Sequence, residues 1–280
     1  MYICSVFMKR NINDKVVIIT GASSGIGLSC AHAFYREGAQ LVLAARSEEP
    51  INELAVEFNS QGKLRAIAVK TDVAIESDCK NLIEKTIGAF GKIDILINNA
   101  GVSMRANFAD VELDVLRKLM DVNFWGAVYC TKYAYPYILA EKGSIVGISS
   151  VAGIHGMPCR TGYSASKYAL QGFLDTIRIE TMKKDVHVMT VIPGFISTNV
   201  RKAALVADGS AQGESPRNEN TMMSPEELAK RIINGIKKNK RQFATSYEGW
   251  FTPFVSFFLP KMVDKIYYNH IKQEPNAPLD

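Results

Sequence analysis

Short apolar runs alternate along this chain with amphipathic stretches of helical period. That is the pattern of repeated βαβ units, which assemble into a parallel sheet. The first strand reads Lys15-Val16-Val17-Ile18-Ile19-Thr20. A glycine-rich turn follows it, then a helix running to about Gly38. Further strands are expected at Leu41 to Ala45, around Ala66 to Val69, and at Ile93 to Ile97, Ser144 to Ile148 and Val186 to Ile192. Helices are expected at Glu76 to Phe90, Val111 to Ala140 and Tyr163 to Met182. The second of these is expected to break near Asp121, and Pro136 lies near its end, where a kink costs least. No internal repeat or linker divides the chain. The expected fold is a single Rossmann-like, doubly wound parallel β-sheet with helices on both faces.

Residues Asn199 to Thr221 break this rhythm with glycines, serines, a proline and several amides. Loops of such length are usually functional or disordered. The helix that follows opens on a capping box, with Ser224 as N-cap, Pro225 at N1 and Glu227 at N3. The expected organisation is an N-terminal extension over 1–14, a main domain over 15–248 with a covering loop at 199–223, and a hydrophobic C-terminal extension over 249–280.

Composition narrows the class. The 280 residues are 47% hydrophobic and 22% charged, which suits an ordinary globular protein rather than a disordered or disulfide-built one. The net charge of +5 comes from scattered residues. The densest basic run, Lys237 to Arg241, closes a helix, where cations favour the exposed carbonyls. No nucleic-acid partner is expected. The five cysteines are odd in number and form no CxxC, so reduced thiols and a cytoplasmic location are expected. The four histidines have no metal-site spacing, and no metal is expected. Apolar residues precede Lys9-Arg10, the reverse of a secretory signal, and Met8 is an alternative start.

Gly21-Ala22-Ser23-Ser24-Gly25-Ile26-Gly27 sits between the first strand and first helix. Glycines there let the backbone approach a pyrophosphate, and the helix N-terminus offers free N–H groups to the anion. The same glycines would also permit close packing of helix on strand. The second strand ends Ala44-Ala45-Arg46. An acid at that point would accept bonds from an adenosine ribose. Here it is missing, and the Arg46 guanidinium suits a 2′-phosphate, so NADP(H) is the expected cofactor.

Tyr163 and Lys167 stand four apart, on one face of a helix. An ammonium beside a phenol favours the phenolate and lowers its pKa, which would fit Tyr163 as an acid for a developing alkoxide. Ser149-Ser150 ends the fifth strand at the carboxyl edge of the sheet, where open α/β folds bind ligands. A serine there can stabilise charge on a carbonyl oxygen or simply cap a turn.

With these residues placed, the chain resembles the short-chain dehydrogenase/reductase family. The matching segments are Thr20 to Gly27, Asp72-Val73, Asn98-Asn99-Ala100-Gly101, Asn123, Ser150, Tyr163-Ser164-Ala165-Ser166-Lys167, and Pro193-Gly194 with Ile196 and Thr198. They run in family order from about Lys15 to Thr198. The resemblance implies hydride transfer between a nicotinamide and a ketone. In it, Tyr163 is proton donor, Ser150 polarises the carbonyl, and Lys167 also binds the nicotinamide ribose. Asn123 holds a water in a proton relay, and Asp72 contacts adenine. Asn98 to Gly101 form a floor under the adenosine, and Pro193 to Thr198 seat the nicotinamide.

Two departures stand out. Ser24 occupies the position where some NADP-preferring relatives carry a basic residue, which leaves the cofactor choice to Arg46. The tail Trp250 to Pro260, followed by Lys261, Lys265, Tyr267 and Tyr268, replaces the glycine-rich end of many tetrameric members and is similar to that of relatives acting on steroids and lipids. It is too short to span a bilayer. It suits either peripheral membrane contact through 250–268 or a lid or dimer contact. The expected activity is therefore NADPH-dependent reduction of an apolar ketone by a homodimer paired through the helices at 111–140 and 163–182. Alternatives are alcohol oxidation, a 3-oxoacyl-thioester reductase, and a dinucleotide-binding regulator without turnover. His155 and Cys159 are candidate pocket residues, with Cys159 lacking a paired base.

Overall fold

The computed structural model describes residues 10–279. Seven parallel strands form one sheet in the order β3-β2-β1-β4-β5-β6-β7. They are β1 (Val16–Thr20), β2 (Gln40–Ala45), β3 (Ala66–Lys70), β4 (Ile95–Asn98), β5 (Ser144–Ile148), β6 (His187–Ile192) and β7 (Gln242–Ala244). Every residue of β1 is buried, because helices cover both faces and alternation with polar residues has no purpose there. Val17 and Ile19 point to one face, into a core shared with α1 (Gly25–Arg36), α2 (Glu48–Phe58) and α7 (Pro225–Lys237). Val16 and Ile18 point to the other, against α3 (Glu76–Phe90), α5 (Gly126–Ala140) and α6 (Thr161–Glu180).

The chain builds outward from β1 to β3, then returns to add β4 beside β1. That reversal opens a crevice at the carboxyl ends of β1 and β4, the standard ligand position in open α/β sheets. Register keeps the strand ends level there: Ile19 pairs with Ile97, and Asn98 with Gly147.

Several details differ from the sequence reading. The helix expected over 111–140 is not broken. α4 (Leu113–Met120) passes into α5 through one π turn, Asp121–Trp125, with helical dihedrals on both sides. The helix α2 and the strand β7 were not anticipated. Residues 10–14 do not form a free extension. Ile12 is fully buried, and Arg10 donates to the carbonyls of Gly143 and Asp185. Residues 1–9, with Cys4, Met8 and Lys9, lie outside the described residues.

The C-terminal stretch is likewise not a separate extension. It folds as α8 (Tyr247–Phe258) and α9 (Pro260–Lys272). Ser246 caps α8 by accepting from Gly249 N, and Pro260 starts α9 at N1, where its missing N–H costs nothing. Val263, Tyr267 and Ile271, spaced by four, form the buried stripe of α9. Val263 and Tyr267 share a core with Val151, in the 3₁₀ turn after β5, and Ile192 of β6. His155 secures the join by stacking on Tyr267 at 4.8 Å and pairing with Asp264 at 3.3 Å. It therefore holds the tail rather than lining the crevice. No helix among the described residues is long and apolar enough to cross a membrane.

Candidate active site

The glycine turn is shaped by close approach. Gly21 and Gly25 have φ of +68° and +53°, a region that disfavours side chains. A Cβ on Gly27 would stand 2.1 Å from the Gly21 carbonyl oxygen, so α1 can lie this close to the turn only with glycine there. Gly27 thus serves packing, while Gly21, Ser23, Ser24, Gly25 and Ile26 line the crevice. Ser24 is the N-cap of α1, with no side-chain hydrogen bond to its free N–H groups. Thr20 Oγ accepts from the backbone N–H of Asn99 and Ala100, and Asn99 Nδ2 donates to Thr20 O at 2.8 Å. These bonds tie the ends of β1 and β4 into one floor.

Arg46, Asp72 and Val73 line the same crevice at the ends of β2 and β3. Arg46 is exposed and makes no hydrogen bond or ion pair with a described residue. Asp72 Oδ1 accepts from Ala74 N at 3.0 Å, which fixes the turn. Pro193, Gly194, Ile196 and Thr198 follow β6 and line the opposite wall. The uncapped helix start and the close approach allowed by Gly21 and Gly25 fit a nicotinamide dinucleotide.

Ser150, Tyr163 and Lys167 come together in this crevice. Ser150 does two things. Its Oγ accepts from Ala152 N at 3.2 Å, capping a 3₁₀ turn, and it hydrogen-bonds the Tyr163 side chain. Lys167 is 4% exposed and donates from Nζ to Ile148 O at 2.8 Å. Burial brings its pKa down to about 8. The Tyr163 pKa is raised, chiefly by burial, against the Ser150 hydrogen bond and the positive charges of Arg160 and Arg201. This corrects one expectation. In the structure Lys167 is not what draws the phenol down, because its Nζ sits 5.8 Å from the Tyr163 ring centroid and is engaged with a carbonyl.

Asn123 does not line the crevice. It occupies the π turn and is 2% exposed. Its amide pairs with both backbone groups of Val102, at 2.8 and 2.9 Å, and donates to Ser166 Oγ at 2.9 Å. The inserted turn brings it beside Gly101, where a Cβ would meet Asn123 Oδ1 at 3.0 Å and Lys167 Nζ at 3.5 Å. Cys159 is buried at φ +60°, with its thiol donating to Pro278 O. Burial raises its pKa, which argues against a reactive thiolate.

Sequence reasoning missed part of the site. Arg160, Arg201 and Arg217 line the crevice, as does Glu274 from the residues beyond α9. Arg201 pairs with Glu219 and donates to Ile196 O, which ties the 199–223 segment together where its residues line the crevice. Short bridges at Met104 with Leu205 and Ile196 with Met223 complete that fold. Residues this distant in the chain leave no local pattern to read.

A sheet with its crevice at the β1/β4 switch, a glycine turn at one end and a Ser–Tyr–Lys cluster at the other, is the plan of the nucleotide-dependent α/β oxidoreductases. Comparison with known proteins narrows this. The family described as short chain dehydrogenase matches residues 15–207, and the chain belongs to that family. Dehydrogenase/reductase SDR family member 7B of Rattus norvegicus is 36% identical over 273 residues, spanning 95% of this chain and 84% of that protein. The 11-beta-hydroxysteroid dehydrogenase-like 4A protein of Arabidopsis thaliana is 38% identical over 232 residues, spanning 82% and 76%. Among solved structures, a short chain dehydrogenase/reductase from Burkholderia phymatum in complex with NAD has a TM-score of 0.77 at 22% identity, covering 97% of this chain and 99% of that one. An alcohol dehydrogenase from Thermococcus sibiricus complexed with 5-hydroxy-NADP has a TM-score of 0.73 at 24% identity, covering 83% and 96%. At these identities the two structures speak for the fold.

Proposed function

We propose that this oxidoreductase is an NADPH-dependent carbonyl reductase of apolar ketones. The observation that carries the reading is the meeting of Ser150, Tyr163 and Lys167 in one crevice with the glycine turn and Arg46. Bound NADPH would supply the hydride. The chain's own residues do the rest. Gly21 to Ile26 and the start of α1 receive the pyrophosphate, and Arg46 receives the 2′-phosphate. Ser150 Oγ hydrogen-bonds the substrate carbonyl and orients it. Tyr163, held protonated at neutral pH by burial, gives its proton to the oxygen as negative charge develops there. Lys167 returns a proton toward Tyr163 from the Asn123 side, where the π turn holds its neighbours in place.

The apolar character of the substrate rests on a second cavity of about 400 Å³ beneath α8 and α9. It shares Ser150, Pro193 and Gly194 with the crevice and continues past Phe251, Val255 and Ile266. A steroid- or lipid-sized group fits such a space.

The test is NADPH consumption over a panel of steroids, quinones, acyl thioesters and long-chain keto lipids. Apolar ketones are expected to turn over, and Tyr163→Phe is expected to lose at least about a hundredfold in kcat, as for loss of a single proton donor. Near wild-type turnover by that variant would reject the mechanism.

A further inference from the structure

Glu274 is the focus of an arginine cluster that the reductase reading leaves without a role. Its carboxylate is 5% exposed and faces three guanidiniums. Arg217 alone is well paired, donating from Nε at 2.7 Å and from Nη2 at 2.5 Å to Oε1. Arg105 Nε lies 3.4 Å from Oε2, and neither atom has a hydrogen-bond partner. Arg160 Nη2 stands 4.0 Å away, beyond hydrogen-bond reach. Three cations therefore surround one anion, with side chains only 8%, 13% and 17% exposed for Arg105, Arg160 and Arg217. Arg105 also donates from Nη2 to Pro275 O at 2.7 Å, and Arg160 from Nη1 to Cys159 O at 3.2 Å, but one carboxylate balances only one of the three charges, and burying an unbalanced charge is unfavourable.

The place of the cluster is informative. Arg160 and Arg217 line the catalytic crevice, whereas Arg105 stands behind them. Arg160 is three residues before Tyr163 and close enough for its charge to act on the phenol. The phosphate positions of a dinucleotide, at the glycine turn and at Arg46, belong to other strand ends. Ser150, Pro193 and Phe195 also line the apolar cavity under α8 and α9. The point where a carbonyl would sit thus adjoins both a cationic wall and an apolar channel, which meet at Phe195 under Arg217.

We propose that Arg160 and Arg217 bind an anionic group of the substrate, so that the ketone reduced here is an amphiphile. Its carboxylate or phosphate lies toward the arginines and its apolar chain under α8 and α9. Glu274 is the built-in stand-in for that group: it keeps the arginines in place and competes with the substrate's own charge. The proposal rests on the carbonyl-reductase reading.

The experiment compares three ketones of equal chain length with saturating NADPH: one neutral, one with a terminal carboxylate and one with a terminal phosphate monoester. Wild type is expected to favour an anionic ketone at least tenfold in kcat/KM, mainly through KM. The ratio of anionic to neutral kcat/KM is expected to fall about tenfold in Arg160→Gln, to recover in part in Arg160→Lys, and to rise in Glu274→Gln. Using the ratio removes effects common to all three ketones, including a changed Tyr163 or a loosened tail. The anion with the larger fall identifies the head group. A ratio that is near one in wild type, or that none of the variants moves, overturns the proposal while reduction of ketones stands. No turnover of any of the three would sink the reductase reading and this proposal with it.

Discussion

Tyr163 and Lys167 owe their properties to where burial places them. Water exclusion disfavours the phenolate and the ammonium alike, raising one pKa and lowering the other to about 8. Ketone reduction consumes a proton, so both groups must begin protonated. The kcat/KM for ketone is therefore expected to fall as pH rises beyond about 8, where Lys167 loses its charge. A profile flat to pH 10 would remove Lys167 from the proton path. Arg46 supports a second prediction at this scale. It is the cation at the end of β2 with no protein partner among the described residues. Arg46→Asp is expected to shift the NADPH/NADH ratio of kcat/KM toward NADH by tenfold or more, since it replaces a phosphate partner by a repelling charge. An unmoved ratio would show that something else selects the cofactor.

Among the elements, the strand termini do the positioning, and their stability has a pH signature. His187 begins β6 and ties β5 to the start of β7. Its Nε2 lies 2.9 Å from Lys240 O and its Nδ1 3.2 Å from Ser144 Oγ. A neutral ring protonated at Nε2 satisfies both, donating to the carbonyl and accepting from the hydroxyl. Burial holds the folded-state pKa down to about 4, against about 6.5 in the unfolded chain. Between these values the unfolded chain binds a proton that the folded one refuses. Stability is therefore complete above pH 6.5 and declines as pH falls toward 4, by roughly 3 kcal/mol in total. Urea midpoints measured at pH 7.5 and 4.5 are expected to differ less in His187→Gln than in wild type. An equal difference would mean that other groups set the acid limit.

The whole molecule carries an asymmetry that no single element explains. One side of α8 and α9 lines the apolar cavity, while Trp250, Phe254, Phe257 and Phe258, which do not line it, are between 56% and 80% exposed. Lys261 and Lys265 follow directly. We propose that this face rests on a lipid surface, with the aromatics at headgroup depth and the lysines on anionic lipid. Wild type is expected to co-sediment with vesicles of phosphatidylcholine and phosphatidylserine, and a Phe254→Ser, Phe257→Ser double variant much less. Both rings are largely exposed, so the fold tolerates their loss. Equal partition of the two proteins would discard the lipid surface and leave a contact between chains as the use of this face.

Legibility followed the range of the forces involved. Strand runs such as Val16 to Thr20, the glycine turn, the Ser224 capping box and the Tyr163/Lys167 spacing depend on neighbours a few residues away, and so they could be read in order along the chain. From them came the parallel sheet and the crevice at its switch point. Tertiary packing alone decided the rest. The helix over 113–140 stays continuous because a π turn absorbs Asn123 into a network with Val102 and Ser166. The aromatic tail folds back because Tyr267 finds His155 and a core with Val151 and Ile192. The arginine cluster of Arg105, Arg160 and Arg217 around Glu274 draws on residues scattered over the chain, which meet only when the sheet and the final helix have closed on each other.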